Sequence, residues 1–187
     1  MANENGDNAL IDIELRRCED GDLIAIQNLY ADQVLHGSAS FEEVPPSVNE
    51  MRRRRDELLT QGFPYFVATI GGEFAGYAYV GRYRTRSAYR HTGEISVYVR
   101  QNYRAQGVGR RLLAALIESC EAIGLRQLVA IAGDSDNKGS IQLHVSCGFR
   151  IVGTLERVGF KHNRWIDTVV MQRSLNPANE DILPPLV

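Results

Sequence analysis

The spacing of apolar positions along this chain switches between a period of two and a period of about 3.6, and each switch marks an element. From Ile11 to Arg16 apolar and charged residues alternate, the pattern of a half-buried strand. Leu23, Ile26, Leu29, Tyr30 and Val34 then keep a helical spacing, with Asp20 placed to cap the helix and Gly37 to end it. Ser38 to Pro46 reads as a loop, and Ser47-Val-Asn-Glu50 is a capping box that opens a second helix, stopped by Gly62. Tyr65 to Ile70 and Glu73 to Val80 are strands joined by a Gly71-Gly72 turn. Gly93 to Val99 is the next strand. A helix from Val108 to Ile123 follows, carrying Val108, Leu112, Leu113, Leu116, Ile117, Cys120 and Ile123 on one face, with Gly124 at its end. Leu128 to Ala132 reads as a buried strand, Ser140 to Ser146 as a short helix stopped at Gly148, and Phe149 to Leu155 and Thr168 to Leu175 as the last strands. Strands that begin in a hairpin and then alternate with helices predict an α/β domain, a mixed central sheet flanked by helices. It is expected to run over 11–175 as one domain, with a polar tail at 1–10 and a proline-bearing tail at 176–187.

Composition narrows the class. A chain of 187 residues is long enough to bury a real core in one domain. The formal net charge of −2 argues against a nucleic-acid binder. Cys18, Cys120 and Cys147 are odd in number and show no metal-ligand spacing, which suggests a reducing compartment and no metal site. No apolar run reaches membrane-spanning length, and the first residues lack a signal-peptide pattern. The expectation is a cytoplasmic protein with neither membrane nor nucleic acid as a partner.

The stretch Arg104-Ala105-Gln106-Gly107-Val108-Gly109 lies between a predicted strand and a predicted helix. In that position small residues let the backbone approach a ligand, and unpaired first-turn N–H groups point at it, which makes an anion cradle. The spacing is not that of a Walker loop, and Leu112 stands where a dinucleotide fingerprint needs its third glycine. The alternative is a glycine-rich turn that binds nothing. After the strand at Leu128 to Ala132 comes Asp136-Asn137, then Ser140, His144 and the pair Gly148-Phe149. Asn137 and Ser140 either cap the short helix or face a ligand.

The first stretch resembles the acetyl-CoA pyrophosphate loop of the GNAT superfamily of N-acetyltransferases, and the second resembles that family's other cofactor motif. Both occur in the family's order. The resemblance implies the GNAT acyl-CoA N-acyltransferase fold, in which two adjacent parallel strands splay to admit the cofactor. It also implies acetyl-CoA as the acetyl donor, held by Val97, Tyr98, Val99, Arg104, Ala105, Gln106, Gly107, Val108, Gly109, Arg110, Asn137 and Ser140.

In the strand Gly93 to Val99, Glu94, Ser96 and Tyr98 share one face and Ile95, Val97 and Val99 the other. The apolar face calls for a helix. A carboxylate on the polar face can take a proton from an ammonium substrate, and partial burial raises its pKa toward the useful range. A surface-strand glutamate is the alternative. His144 stands where many GNAT enzymes have a tyrosine that protonates the departing thiolate, so it is a candidate general acid beside the alternative of a packing histidine.

Arg82, Arg84 and Arg86 alternate, and in an extended segment they project alike, suited to carboxylates and phosphorus or sulfur oxyanions. A solvated basic edge is the alternative. Arg52 to Arg55 reads as a solvated helix face. The segment Gly81 to Val99, Ser38-Ala-Ser40-Phe41-Glu, Leu143-His144 and Gly159 to Asp167 together resemble the phosphinothricin acetyltransferase branch of GNAT. That resemblance implies acetyl transfer to the α-amino group of phosphinothricin, methionine sulfoximine or a similar small amino acid. Glu94 would be the base, Arg84, Arg86, Tyr89, Ser96, Tyr98 and Lys161 would line the substrate, and the enzyme would be a homodimer. Gly93 and Ile95 depart from the branch pattern, so the preferred acceptor is less defined than the reaction. Acetylation of another amine, a polyamine or a protein N-terminus, and a non-catalytic acetyl-CoA-binding module are the competing functions.

Overall fold

The computed structural model describes residues 11–175, so the tails expected at 1–10 and 176–187 lie outside the described residues. One seven-stranded sheet runs in the order β1-β2-β3-β4-β5-β7-β6. Its strands are β1 (Ile13–Arg17), β2 (Tyr65–Ile70), β3 (Glu73–Arg82), β4 (Thr92–Val99), β5 (Gln127–Gly133), β6 (Arg150–Lys161) and β7 (Arg164–Ser174). The helices are α1 (Leu23–His36), α2 (Val48–Thr60), α3 (Val108–Ala122) and α4 (Lys138–Ser146). Among the described residues only β4 and β5 pair in parallel; the other neighbours are antiparallel. A mixed sheet flanked by helices is what the apolar pattern predicts. No helix among the described residues is long and apolar enough to cross a membrane.

The apolar stripe of α3 supplies Val108, Leu112, Leu113, Leu116, Ile117 and Cys120 to the core. They pack on the β4 face formed by Ile95, Val97 and Val99. Ile123, expected on that stripe, lies past the last turn and is 48% exposed. The opposite face of the sheet is covered by α1 and α2 around a stack of tyrosines, Tyr30, Tyr65, Tyr77, Tyr79 and Tyr98. Its chemistry differs from the α3 side: flat rings with polar tips, close to where β4 carries Glu94 and Ser96.

Four expectations are corrected. Asp20 does not cap α1. It begins a single 3₁₀ turn and pairs with Arg52 and Arg55, while Asp22 closes a capping box with Glu19 and accepts from Arg16. Arg55 is not on a solvated face: it is 5% exposed, held by Asp20 and Asp56, because a buried guanidinium needs carboxylate partners. β6 does not end at Leu155 but continues to Lys161. A bulge between Leu155 and Gly159, with Arg157 at φ 53 and its N–H donating to Asp167 Oδ1 at 3.0 Å, breaks the alternation by which a strand is read. His162 and Asn163, at φ 52 and 56, then turn the chain into β7. Finally, the arginine run is not extended. β3 ends at Arg82, and a 3₁₀ turn at Ser87–Tyr89 follows.

Candidate active site

β4 and β5 are paired only from Thr92↔Gln127 to Ile95↔Ala130. Beyond those pairs β4 stays on β3 as far as Val99, and β5 stays on β7 as far as Gly133. The two strands therefore splay, and the wedge between them opens into a cavity of about 340 Å³. Glu94, Ser96 and Tyr98 stand on one wall, Ile131, Gly133 and Thr168 on another, and Tyr30, Ser40 and Phe41 close the near side; Asn137, Ser140 and His144 close the far side.

Ladder alternation decides which backbone groups face the wedge. Arg100 N–H donates to the Ala75 carbonyl at 2.9 Å, and Tyr83 N–H to the Thr92 carbonyl at 3.3 Å. Even-numbered β4 residues thus turn their backbone toward β3, and Val97 and Val99 turn theirs into the wedge. These donors face the open gap between the strands. Tyr98 belongs to the β3 ladder through its backbone and presents only its ring to the cavity.

After β4 the chain makes a 3₁₀ turn at Gln101–Tyr103, passes Ala105 at φ 59 and Gly107 at φ 89, and enters α3. Ser47 caps α2 and Asn137 caps α4, but among the described residues no side chain caps α3. Its first-turn N–H groups therefore stay open in a backbone concavity suited to an anion. Val108 is buried, so its contribution is its backbone. Gly109 lets α3 approach α4, since a Cβ there would lie 3.0 Å from Leu143 Cδ2. Gln106 is turned away, donating to the Asn102 carbonyl at 2.7 Å. Arg104 and Arg110 are exposed, and among the described residues neither pairs with a carboxylate.

Glu94 is half-buried, and burial pushes its carboxyl pKa up while the Arg84 guanidinium works against that rise. His144 is buried, and its Nδ1 lies 2.8 Å from the Ser140 carbonyl. A carbonyl only accepts, so Nδ1 carries the proton and Nε2, which has no partner among the described residues, presents a lone pair. Burial also pushes the imidazole pKa down, favouring the neutral ring. Asn137 Oδ1 accepts from Ser140 N–H at 3.3 Å, so this side chain caps α4 and lines the cavity at once.

The substrate-side residues are placed less uniformly. Arg82 donates to Gln61 Oε1 at 2.8 Å and leaves the group. Arg84 stacks on the Tyr83 ring, 4.9 Å from its centroid, and Tyr89 meets that ring edge-on. Arg84, Arg86 and Tyr89 are exposed and stand outside the cavity wall. Lys161 is 5% exposed, and its Nζ donates to the Ser40 carbonyl at 2.6 Å and the Gly37 carbonyl at 3.1 Å, so it is bound to the loop rather than aimed at the cavity. Tyr30, Phe41, Tyr79, Ile131 and Thr168 were not singled out from the sequence. The one local signal among them was the Ser38-Ala-Ser40-Phe41-Glu run.

A wedge between parallel strands, lined by free strand N–H groups and leading to an uncapped helix start, fits a long ligand with a polar arm and phosphates, as acetyl-CoA is. Fold and site together define an acyl-CoA N-acyltransferase. The GNAT acetyltransferase domain family matches residues 15–170. The chain is 51% identical over 181 residues, covering 93% of it and 91% of the relative, to a phosphinothricin N-acetyltransferase of Alcaligenes faecalis. It is 41% identical over 158 residues to an L-methionine sulfoximine/L-methionine sulfone acetyltransferase of Pseudomonas aeruginosa, covering 84% and 91%. The solved structure of a GNAT phosphinothricin acetyltransferase from Sinorhizobium meliloti in complex with acetyl-CoA superposes with a TM-score of 0.88 at 39% identity, covering 93% of each chain. The chain belongs to the GNAT family, within the branch that holds these phosphinothricin and methionine sulfoximine acetyltransferases. It is an N-acetyltransferase, and acetyl-CoA is its acetyl donor.

Proposed function

We propose that this enzyme acetylates the α-amino group of phosphinothricin, methionine sulfoximine or a similar small amino acid, by direct transfer with Glu94 as general base. The observation that carries the reading is a half-buried carboxylate facing the cavity at the strand splay, with exposed arginines outside it. The relatives named above act on such amino acids and support the choice of acceptor.

Acetyl-CoA, when bound, supplies an acetyl thioester. The open first turn of α3 would hold its pyrophosphate, with Arg104 and Arg110 as charged partners. Val97 and Val99 N–H groups would hold its arm and the thioester oxygen in the wedge. Asn137 and Ser140 close that side. A Glu94 carboxylate oxygen takes a proton from the acceptor ammonium, directly or through water, which frees the nitrogen lone pair. Ser96 and the Tyr98 ring shape the wall beside it. His144 is the candidate general acid: its Nε2 lone pair would take the proton that the acceptor nitrogen sheds after bonding to the acetyl carbon and pass it to the departing thiolate, and burial, which pushes the imidazole pKa down, favours that release. Arg84 and Arg86, with Tyr89, attract the acidic groups of the acceptor. The catalytic unit is residues 11–175 acting as a single domain.

If the arginines recognise acidic groups, Arg84→Ala and Arg86→Ala raise the KM for phosphinothricin about tenfold, equivalent to about 1.4 kcal/mol per variant, with little change for a polyamine. Steady-state kinetics on both acceptors checks this. Unchanged phosphinothricin kinetics together with turnover of spermidine would overturn the acidic-acceptor reading.

The enzyme is further proposed to work as a homodimer through the β6–β7 ribbon. Ile151, Val152, Leu155 and Val158 are each about half exposed there, as are Phe160 and Trp165, whose rings meet edge-on at 5.2 Å. So many large apolar groups on one edge ribbon mark an interaction surface. Light scattering is expected to give twice the 20.9 kDa chain mass, and Trp165→Glu is expected to return it to one chain. A wild-type monomer at micromolar concentration would end the proposal.

A further inference from the structure

Besides α1 and α4, the cavity wall from outside the sheet is the loop after α1, residues 37–41, which contributes Ser40 and Phe41. It has no ladder of its own. It is fastened from two sides. From α1, Tyr30 Oη lies 3.0 Å from Ser40 Oγ. From the β6–β7 turn, Lys161 Nζ donates to the Gly37 and Ser40 carbonyls, and His162 Nε2 lies 3.2 Å from the same Gly37 carbonyl.

Two glycines let the loop lie flat on the strands. A Cβ at Gly133, the end of β5, would fall on the Ser38 carbonyl oxygen, and a Cβ at Gly159 of β6 would fall on the Phe41 ring at Cε2. Neither glycine has a positive φ, so it is the close approach of the loop, not backbone conformation, that calls for a small residue at both places. A lysine that is 5% exposed and spends its ammonium on two loop carbonyls is an unusual use of a buried charge. Burial pushes the Lys161 pKa down, and Glu43 and Glu42, the acids next along the loop, oppose that fall.

We propose that Lys161 is a positioning residue for the acceptor: with Gly133 and Gly159 it latches the 37–41 loop onto β5 and β6, and so fixes the wall against which the amino-acid acceptor is held. This deepens the functional reading above and rests on it. Lys161 acts through Ser40 and Phe41 and does not touch the acceptor itself. The residues assigned to the cofactor lie on β4, on the loop into α3 with its first turn, and at the start of α4, and none of those elements carries a latch residue.

Two variants test this, with the full-length enzyme. Lys161→Met removes the ammonium and keeps most of the stem; Gly159→Ala leaves every charge in place and pushes the Phe41 ring. Both are expected to raise the acceptor KM about tenfold, for phosphinothricin and methionine sulfone alike. Calorimetric affinity for acetyl-CoA should stay unchanged. Both should speed hydrogen exchange in peptides spanning 37–42, measured without any substrate. Unchanged exchange in Lys161→Met overturns the latch. Raised exchange with an unchanged acceptor KM overturns the link from loop to acceptor. A KM defect in Lys161→Met with normal exchange and a normal Gly159→Ala assigns Lys161 a direct contact and also overturns it. If Lys161→Met does not fold, Gly159→Ala decides by the same two readouts. Should the wild type acetylate no amino acid, the functional reading fails, while the exchange data still settle whether the latch exists.

Discussion

Replacing Glu94 by Gln is expected to lower kcat/KM for the amino-acid acceptor by about 10²- to 10⁴-fold while acetyl-CoA binds as before. The amide keeps the size of the side chain but cannot accept the ammonium proton, so only the fraction of acceptor that is already neutral reacts. The pH dependence carries the more specific signature. Burial raises the Glu94 pKa and Arg84 opposes the rise, so the carboxylate is lost as pH falls through a value above the ordinary carboxylate range. Activity is therefore expected to climb with pH along an acid limb set by Glu94. Arg84→Ala removes the opposing charge and should move that limb to higher pH; Glu94→Gln should abolish it. Profiles of kcat/KM for the three enzymes would decide. An acid limb that persists unchanged in Glu94→Gln assigns the base to another group.

Gly107→Asp is expected to weaken acetyl-CoA binding about 100-fold, close to 2.7 kcal/mol. Two effects combine. Gly107 sits at φ 89, where a side chain costs about 1–2 kcal/mol and shifts the loop that shapes the cradle. The aspartate then sets a negative charge at the uncapped start of α3, where it satisfies the helix N–H groups itself and repels the pyrophosphate. Gly107→Ala carries the strain without the charge and should lose about tenfold. Calorimetry on the two variants separates the effects. Affinities equal to wild type for both would place the cofactor's phosphates elsewhere.

The strand, turn and helix start that build the wedge and the uncapped start of α3 were legible because they are local in sequence. The alternation of Glu94 to Val99, the tight residues at Ala105, Gly107 and Gly109, and the apolar period of α3 are consecutive, and each follows from a rule about strands, turns or helix starts. The same reasoning placed His144 on a short helix that Asn137 could cap, and the family resemblance set that helix beside the cofactor; neither could give the His144 tautomer, which depends on the Ser140 carbonyl one turn earlier. The acceptor side was less legible. The segment holding Arg84 and Arg86 alternates like a strand yet folds as a turn, with Arg84 stacked on Tyr83. Nothing short of packing tells that a repeat of charges there is not a strand face.

Long-range pairing accounts for the remaining differences. Arg55 looked solvated because its neighbours in sequence are charged, but its partner Asp20 comes from before α1. Lys161 looked like a substrate ligand because it falls in a motif, but it meets carbonyls of Gly37 and Ser40, more than a hundred residues earlier. By itself the sequence determined the order of elements, the mixed sheet, the glycine-bearing turn into α3 and a carboxylate on the polar face of its strand, since these depend on periodicity and local backbone geometry. Only the tertiary structure decided that β4 and β5 part after Ile95 and Ala130, that Val97 and Val99 turn their backbone into the gap, and that Tyr30, Ser40 and Phe41 close it. Those features arise where segments far apart in the chain compete for the same hydrogen bonds and the same buried space, and no local pattern records which of them wins.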